Sequence, residues 1–335
     1  MGKKGKVKEA NDEIHSGKDE VGRISESILD EALPLTNTIL QEPEAFVLEN
    51  APEPLETPTP DGSGEACHPD VLFFKDGYQG GLSKPYRYVM AMTPYQNGNP
   101  LLENPCILVS DDGLTWVTDN IKNPLVRGIN NDVDIVYIDG VFSLFCRDNS
   151  ADPRRILRMQ SRDLVKWAEP QTCVGVPQGA DALSPSVVYH DGKWRLWSVS
   201  LDWDLKYYES SDGLIWEKIT NCRVPDVWKG TKRNLWHLDV KRVGEEYIAL
   251  LNYASGAGGR FPGTLWLGRS KDGIDWETEG PILNPNDGYW DGATIYRATF
   301  SVEDGVMKVW YSAERNMLPG SLIWHIGFTS APWKG

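Results

Sequence analysis

Five short polar segments recur in the chain, each beside a run of alternating apolar residues. They are Cys67-His68-Pro69-Asp70, Asn130-Asn131-Asp132-Val133-Asp134, Asp181-Ala182-Leu183-Ser184-Pro185-Ser186, Trp236-His237-Leu238-Asp239, and Trp290-Asp291 followed by Tyr296-Arg297. If the segments converge, several carboxylates, two imidazoles and a guanidinium share one pocket. Carboxylates crowded together cannot all stay ionised, so at least one pKa rises. An acid and a base with separated pKa values are what cleavage of a glycosidic bond requires. One Asp at the start of a strand is an ordinary turn or cap residue. Recurrence at the same point of successive units is what points to chemistry.

Other residues fit a polar ligand. Arg147, in Cys146-Arg147-Asp148, and Arg297 can grip a pair of hydroxyls or a carboxylated sugar through bidentate contacts. The plainer alternative is an internal Arg–Asp pair. Trp236, Trp290 and Tyr296 stand beside the expected mouth, where aromatic faces stack on sugar rings or simply pack. No cofactor is indicated, and no metal is assigned. Calcium is conceivable in a polar channel, but a cluster of His and Asp does not establish it. The five cysteines are scattered with no C-x-x-C pair, which suggests neither a disulfide framework nor a zinc site. They read as buried small residues made in a reducing compartment.

The elements that must position these residues are legible as a repeat. Ser-x-Asp-Gly-x-x-Trp occurs at Ser110–Trp116, at Ser161–Trp167 with Leu164 in place of Gly, at Ser210–Trp216 and at Ser270–Trp276. The copies lie roughly 50 to 60 residues apart, a period that marks propellers or solenoids. Asp and Gly make the turn, and the Trp packs between units. Before each copy, and again in the last unit, which lacks a full copy, an apolar alternating run meets a turn: Asp76-Gly77, Asp139-Gly140, Asp191-Gly192, Val243-Gly244 and Asp304-Gly305. Asp-Gly between such runs is a strong hairpin signal. Two hairpins per unit make four antiparallel strands, one propeller blade. Five units fit between Cys67 and Gly335, so the expected class is all-β, a five-bladed β-propeller over 67–335.

The chain before it differs. Residues 1–42 hold a short amphipathic helix, roughly Lys18 to Ala32, with Val21, Ile24, Ile28 and Leu29 on one face. Two turns of apolar stripe need a partner to persist. Residues 43–66 are rich in Pro and Glu and read as an extended linker. The net charge of −14 argues against a nucleic-acid partner. No apolar run is long enough to insert in a membrane. The basic start, Met1 to Lys6, has no apolar stretch after it, so synthesis in the cytoplasm without a secretory signal is expected.

Here a resemblance emerges. Residues 67–335 resemble the five-bladed propeller glycoside hydrolases, the superfamily of family 43 arabinosidases and xylosidases, family 32 fructosidases and family 117 enzymes. His68-Pro69-Asp70, Asp132-Val133-Asp134, Ser184-Pro185-Ser186, Trp290-Asp291 and Ile295-Tyr296-Arg297 carry it. The resemblance implies a base or nucleophile at Asp70 and a pKa-tuning, sugar-orienting carboxylate at Asp132 or Asp134. It also implies a Glu at the third-blade segment, where this chain has Ser184-Pro185-Ser186. Substitute acids are Asp181, His237, Asp239 or Glu103; similarity to family 117, where a histidine serves, favours His237. His68, Asp132, Arg147, Asp181, Ser184, Trp236, Trp290, Asp291, Tyr296 and Arg297 are the expected substrate contacts. Two readings follow. One is a hydrolase acting on a cell-surface polysaccharide or oligosaccharide. The other is a binding module that has lost its acid. The helix-plus-linker layout resembles phage fibre or decoration proteins, which would attach residues 1–42 to a virion. A protein-interaction propeller is disfavoured by the polar segments.

Overall fold

The computed structural model describes residues 45–335, apart from 177–182, 255–261 and 316–322. The helix and attachment role expected within 1–42, and Asp181, lie outside the described residues. Ala45–Gly335 forms one unit.

Five antiparallel sheets follow one another in sequence. Blade one holds Ala66–Tyr78, Tyr86–Pro94 and Cys106–Ser110. Blade two holds Asn130–Ile138, Val141–Asp148, Arg155–Ser161 and Gln171–Thr172. Blade three holds Leu183–His190, Lys193–Val199, Leu205–Ser210 and Glu217–Asn221. Blade four holds Asn234–Val243, Glu246–Ala254, Gly263–Ser270 and Glu277–Leu283. Blade five holds Thr294–Glu303, Val306–Glu314 and Trp324–Pro332. The first strand of each blade touches the first strands of its two neighbours, and blade five meets blade one. The ring is therefore closed around a channel lined by these inner strands. A two-stranded ribbon, Val227–Trp228 with Thr231–Lys232, links blades three and four.

The repeat performs the job its chemistry suggests. In the first copy Ser110 Oγ accepts the Gly113 N–H at 2.9 Å, while Asp112 Oδ1 accepts the N–H groups of Leu114 and Thr115 at 2.8 and 2.7 Å. Ser210 with Asp212, and Ser270 with Asp272, repeat the arrangement. Leu164 adopts the same left-handed backbone, φ 67°, with its side chain fully buried in compensation. A neighbouring blade clasps three of these turns: Trp310 Nε1 donates to Gly113 O and Trp197 Nε1 to Gly273 O, both at 2.7 Å, while an Arg158 N–H donates to Asp212 O. Trp116, Trp216 and Trp276 are buried between blades. Each such side chain contributes about 2–3 kcal/mol of apolar burial.

In blade one the Asp76-Gly77 pair lies inside the strand, and the chain turns between Tyr78 and Tyr86. Ala45–Glu65 contains no helix or strand and straps the ring. Leu48 N–H bonds to Ile282 O in blade four, and Leu55 N–H to Ile326 O in blade five. Leu48 and Ala51 are buried in the core shared by those blades.

Candidate active site

The inner strands do not run smoothly through the channel. Pairing slips between Cys67 and Asp70, between Asn131 and Asp134, and between Leu183 and Ser186. At each slip one residue takes a left-handed backbone: His68 (φ 55°), Asp132 (φ 52°) and Ser184 (φ 46°). Such bulges re-aim side chains. Blades four and five slip between Leu235 and His237 and between Ile295 and Ala298. The polar segments owe their recurrence to these equivalent irregularities.

The bulges sort the polar side chains into two tiers. The outer tier opens on a cavity of about 340 Å³ lined by His68, Glu103, Asn131, Asp132, Arg147, Trp236, His237 and Tyr296, among others. At its floor His68 Nε2 lies 3.2 Å from Asp132 Oδ1, and His237 Nδ1 lies 3.8 Å from the same oxygen. Asp132 Oδ2 accepts the Ser184 N–H at 3.1 Å, and Ser184 Oγ accepts the Leu238 N–H at 3.2 Å. Ser184 is thus a fully buried buttress of Asp132. His68 Nδ1 lies 2.9 Å from Thr93 Oγ1. His68 Nε2 and both ring nitrogens of His237 are buried without a hydrogen-bond partner.

The inner tier comprises Asp70, Asp134 and Asp239, each two residues further along its strand. Lys241 Nζ is 2.8 Å from Asp70 Oδ1 and 3.7 Å from Asp239 Oδ2. Asp70 also accepts the Thr299 hydroxyl at 3.0 Å and the Ile135 N–H at 2.5 Å. Asp134 accepts the Val187 N–H at 3.1 Å, and Ser186 Oγ accepts the Val240 N–H at 2.8 Å. Consecutive blades are therefore stitched together through this tier. Arg297 is wholly buried, with Nη2 3.1 Å from Pro185 O and 3.6 Å from Asp134 Oδ2. Asp70, Asp134, Asp239 and Lys241 line a separate cavity of about 200 Å³.

The structure thus brings together His68, Asp132, Arg147, Trp236, His237 and Tyr296 from the expected set. It sets Asp70, Asp134, Asp239 and Arg297 apart from the larger cavity. Trp290 and Asp291 lie elsewhere. Trp290 stacks on Tyr311 and donates to Ala51 O at 2.8 Å, while Asp291 accepts from Asn50 at 2.7 Å and from the Tyr311 hydroxyl at 2.9 Å. They hold the strap, because they precede the inner strand of blade five. Tyr95, Arg154, Glu314 and Trp324 also line the cavity and were missed. Tyr95 and Glu314 stand at or just past the end of a blade's second strand, which runs back to the mouth where the inner strand begins. A polar residue closing an apolar run was the available signal.

Electrostatics distinguish the outer-tier groups. Burial pushes His68 down to about 4 and His237 well below its ordinary value, only partly opposed by Asp132, so both imidazoles are neutral at neutral pH. Burial opposes ionisation of Asp132, yet His68, His237, Arg147 and Arg297 together hold it below the usual carboxylate range. Burial, reinforced by Asp132, lifts Glu103 to about 8. Glu103 accepts from Asn131 Nδ2 at 3.0 Å and approaches His68 Nδ1 at 3.7 Å. Burial also raises the Cys67 thiol well above its ordinary value.

The donor set fits a divalent cation. Donor atoms of His68, Asp132 and His237 lie within 4.8 Å of one another. Neutral imidazoles with orphaned nitrogens beside an ionised carboxylate are the ligand chemistry of first-row divalent metals.

The architecture is that of the glycoside-hydrolase-like five-bladed propellers. The α-L-arabinofuranosidase of Podospora anserina, solved with cellotriose, superimposes with a TM-score of 0.61 at 13% identity, over 86% of this chain and 99% of that one. The family 43 glycoside hydrolase of Bacillus licheniformis gives 0.56 at 17%, over 79% and 52%. A crystal structure of an N-acetylgalactosamine deacetylase from Flavonifractor plautii, in complex with blood group B trisaccharide, gives 0.74 at 24%, over 85% and 95%. In sequence the chain is 29% identical over 317 residues to the A type blood N-acetyl-α-D-galactosamine deacetylase of F. plautii, covering 74% of this chain. The chain spans about two fifths of the length of that curated relative. No family model matches the chain.

Proposed function

We propose that the outer-tier cavity removes an N-acetyl group from a sugar, a metal-assisted amide hydrolysis rather than cleavage of a glycosidic bond. The observation that carries this reading is the His68–Asp132–His237 cluster at the cavity floor, with its orphaned nitrogens. Those three residues would hold the cation, which when bound supplies Lewis acidity toward the amide carbonyl and toward water. The sequence relationship to a deacetylase supports the same chemistry.

The protein groups divide the remaining work. Glu103 lines the cavity and changes protonation near neutral pH, as a general acid–base residue must. Its ionised form would take a proton from water, whose oxygen bonds to the acetyl carbon. The C–N bond then breaks, the proton passes to the departing nitrogen, and amine and acetate leave. The Arg147 guanidinium lines the same cavity and is suited to charge developing on the carbonyl oxygen. Trp236 and Tyr296, joined by a 3.0 Å hydrogen bond, offer aromatic surface to the sugar ring.

The glycosidase assignment fits the geometry less well. Asp70 is committed to Lys241, Thr299 and Ile135 outside the larger cavity, and no carboxylate stands at Ser184-Pro185-Ser186. The test is acetate release from N-acetylated hexosaminides by wild type, by chelator-treated protein and by Asp132→Asn. Release that disappears on chelation, returns with divalent metal and is absent in a folded Asp132→Asn supports the proposal. Release indifferent to both chelation and substitution overturns it.

A further inference from the structure

The cavity is lined by two guanidiniums. Arg147 is the last residue but one of the second strand of blade two, and Arg154 stands in the loop that follows. Both line the cavity. Arg147 is 7% exposed, and its Nε lacks a hydrogen-bond partner. Arg154 is exposed and makes no hydrogen bond or ion pair among the described residues. Burial lowers the pKa of Arg147, Asp132 opposes that fall, and Arg154 adds to it. Neighbouring Asp148 offers no relief, because its carboxylate pairs with Arg155 at 3.0 Å and with Ser150.

Two cations lining one cavity repel each other, and an anion bound between them removes that cost. The setting sharpens the point. The chain as a whole carries −14, a charge that drives anions away. Two guanidiniums lining one cavity of an acidic protein need a reason.

We propose that the cavity selects an acidic glycan, with an anionic group beside the acetamide, a uronate carboxylate or a sulfate ester, seated between Arg147 and Arg154. This deepens the deacetylase reading and rests on it for the position of the acetamide, though not for the anion site itself. Arg154 is the residue to vary, because its exposure leaves folding untouched.

The experiment compares acetate release from three N-acetylhexosamine disaccharides, one neutral, one bearing a uronic acid and one bearing a sulfate ester. Direct calorimetric binding of glucuronate and of inorganic sulfate runs alongside. The inference expects one acidic substrate to be preferred by about tenfold in kcat/KM, mainly through KM, with the preferred arm naming the anion. Arg154→Ala lowers that preference, and the binding of the matching free anion, by about tenfold. Equal turnover of all three substrates, with a ratio unmoved by Arg154→Ala, overturns this inference and leaves the deacetylase reading standing. No acetate from any substrate defeats the deacetylase reading. In that case anion binding weakened by Arg154→Ala still supports the site, and its absence overturns it.

Discussion

Replacing Lys241 by methionine keeps much of the side-chain volume and removes one charge. Its ammonium serves two carboxylates that are nearly inaccessible to water, Asp70 at 2.8 Å and Asp239 at 3.7 Å. At an effective dielectric of about 20, the attractions are about 6 and 4–5 kcal/mol. Much of that offsets the desolvation of the three ions, so the gross figure is not what a mutant would lose. Stripping the shared partner from buried carboxylates costs about 3–5 kcal/mol net. Arg297, 3.6 Å from Asp134, remains as the tier's other cation. For a unit of this size the loss lowers the thermal midpoint by about 5–10 °C. Reversible denaturant unfolding of wild type, Lys241→Met, Asp239→Asn and the double variant measures it. The double variant should recover part of the loss, because one uncompensated carboxylate leaves with the lysine. If Lys241→Met stays within about 1 kcal/mol of wild type, the inner tier is not the compensated ionic network described.

Three further outcomes follow from the same geometry. Gly273→Ala puts a methyl group 2.6 Å from Trp197 Cζ2 at a φ of +77°, and should cost about 2–4 kcal/mol in an unfolding titration. Glu314, raised from 4.5 to about 7 by burial, binds its proton more tightly folded than unfolded. It therefore withdraws stability as pH climbs from about 4.5 through 7. Glu314→Gln should gain about 1–2 kcal/mol near pH 8 and nothing near pH 4.5. Glu103→Gln should lower kcat for acetate release by about 100-fold or more with little change in KM, and an unchanged kcat removes Glu103 from the chemistry.

The blades were legible because their turns are written in local chemistry. Ser110, Asp112 and Gly113 close a turn with bonds spanning a few residues, so the pattern survives in the sequence whatever surrounds it. The polar lining was legible for the same reason, because the segments recur at equivalent bulges. The division of that lining into two tiers was not. His68 and Asp70 are two residues apart, and plain alternation would send both into one channel at neighbouring heights. The slip between Cys67 and Asp70 gives them different partners: His68 faces Asp132, whereas Asp70 faces Lys241. Only tertiary packing shows that Trp290 and Asp291 receive Ala51 and Asn50 from more than two hundred residues away. Glu103 and Glu314 come from opposite sides of the ring closure, and no spacing in the chain announces that they share a cavity.

On the proposed reading the cavity cuts an amide and spares the glycan. Mass spectrometry of an N-acetylhexosamine-terminated oligosaccharide, incubated with metal-loaded protein, tests it in one reading. The expected product is lighter by one acetyl group with the sugar chain intact, formed by wild type and not by His237→Ala. A shortened oligosaccharide that keeps its acetyl group, formed by both proteins and lost in Asp70→Asn, would contradict it and return the chemistry to the inner tier.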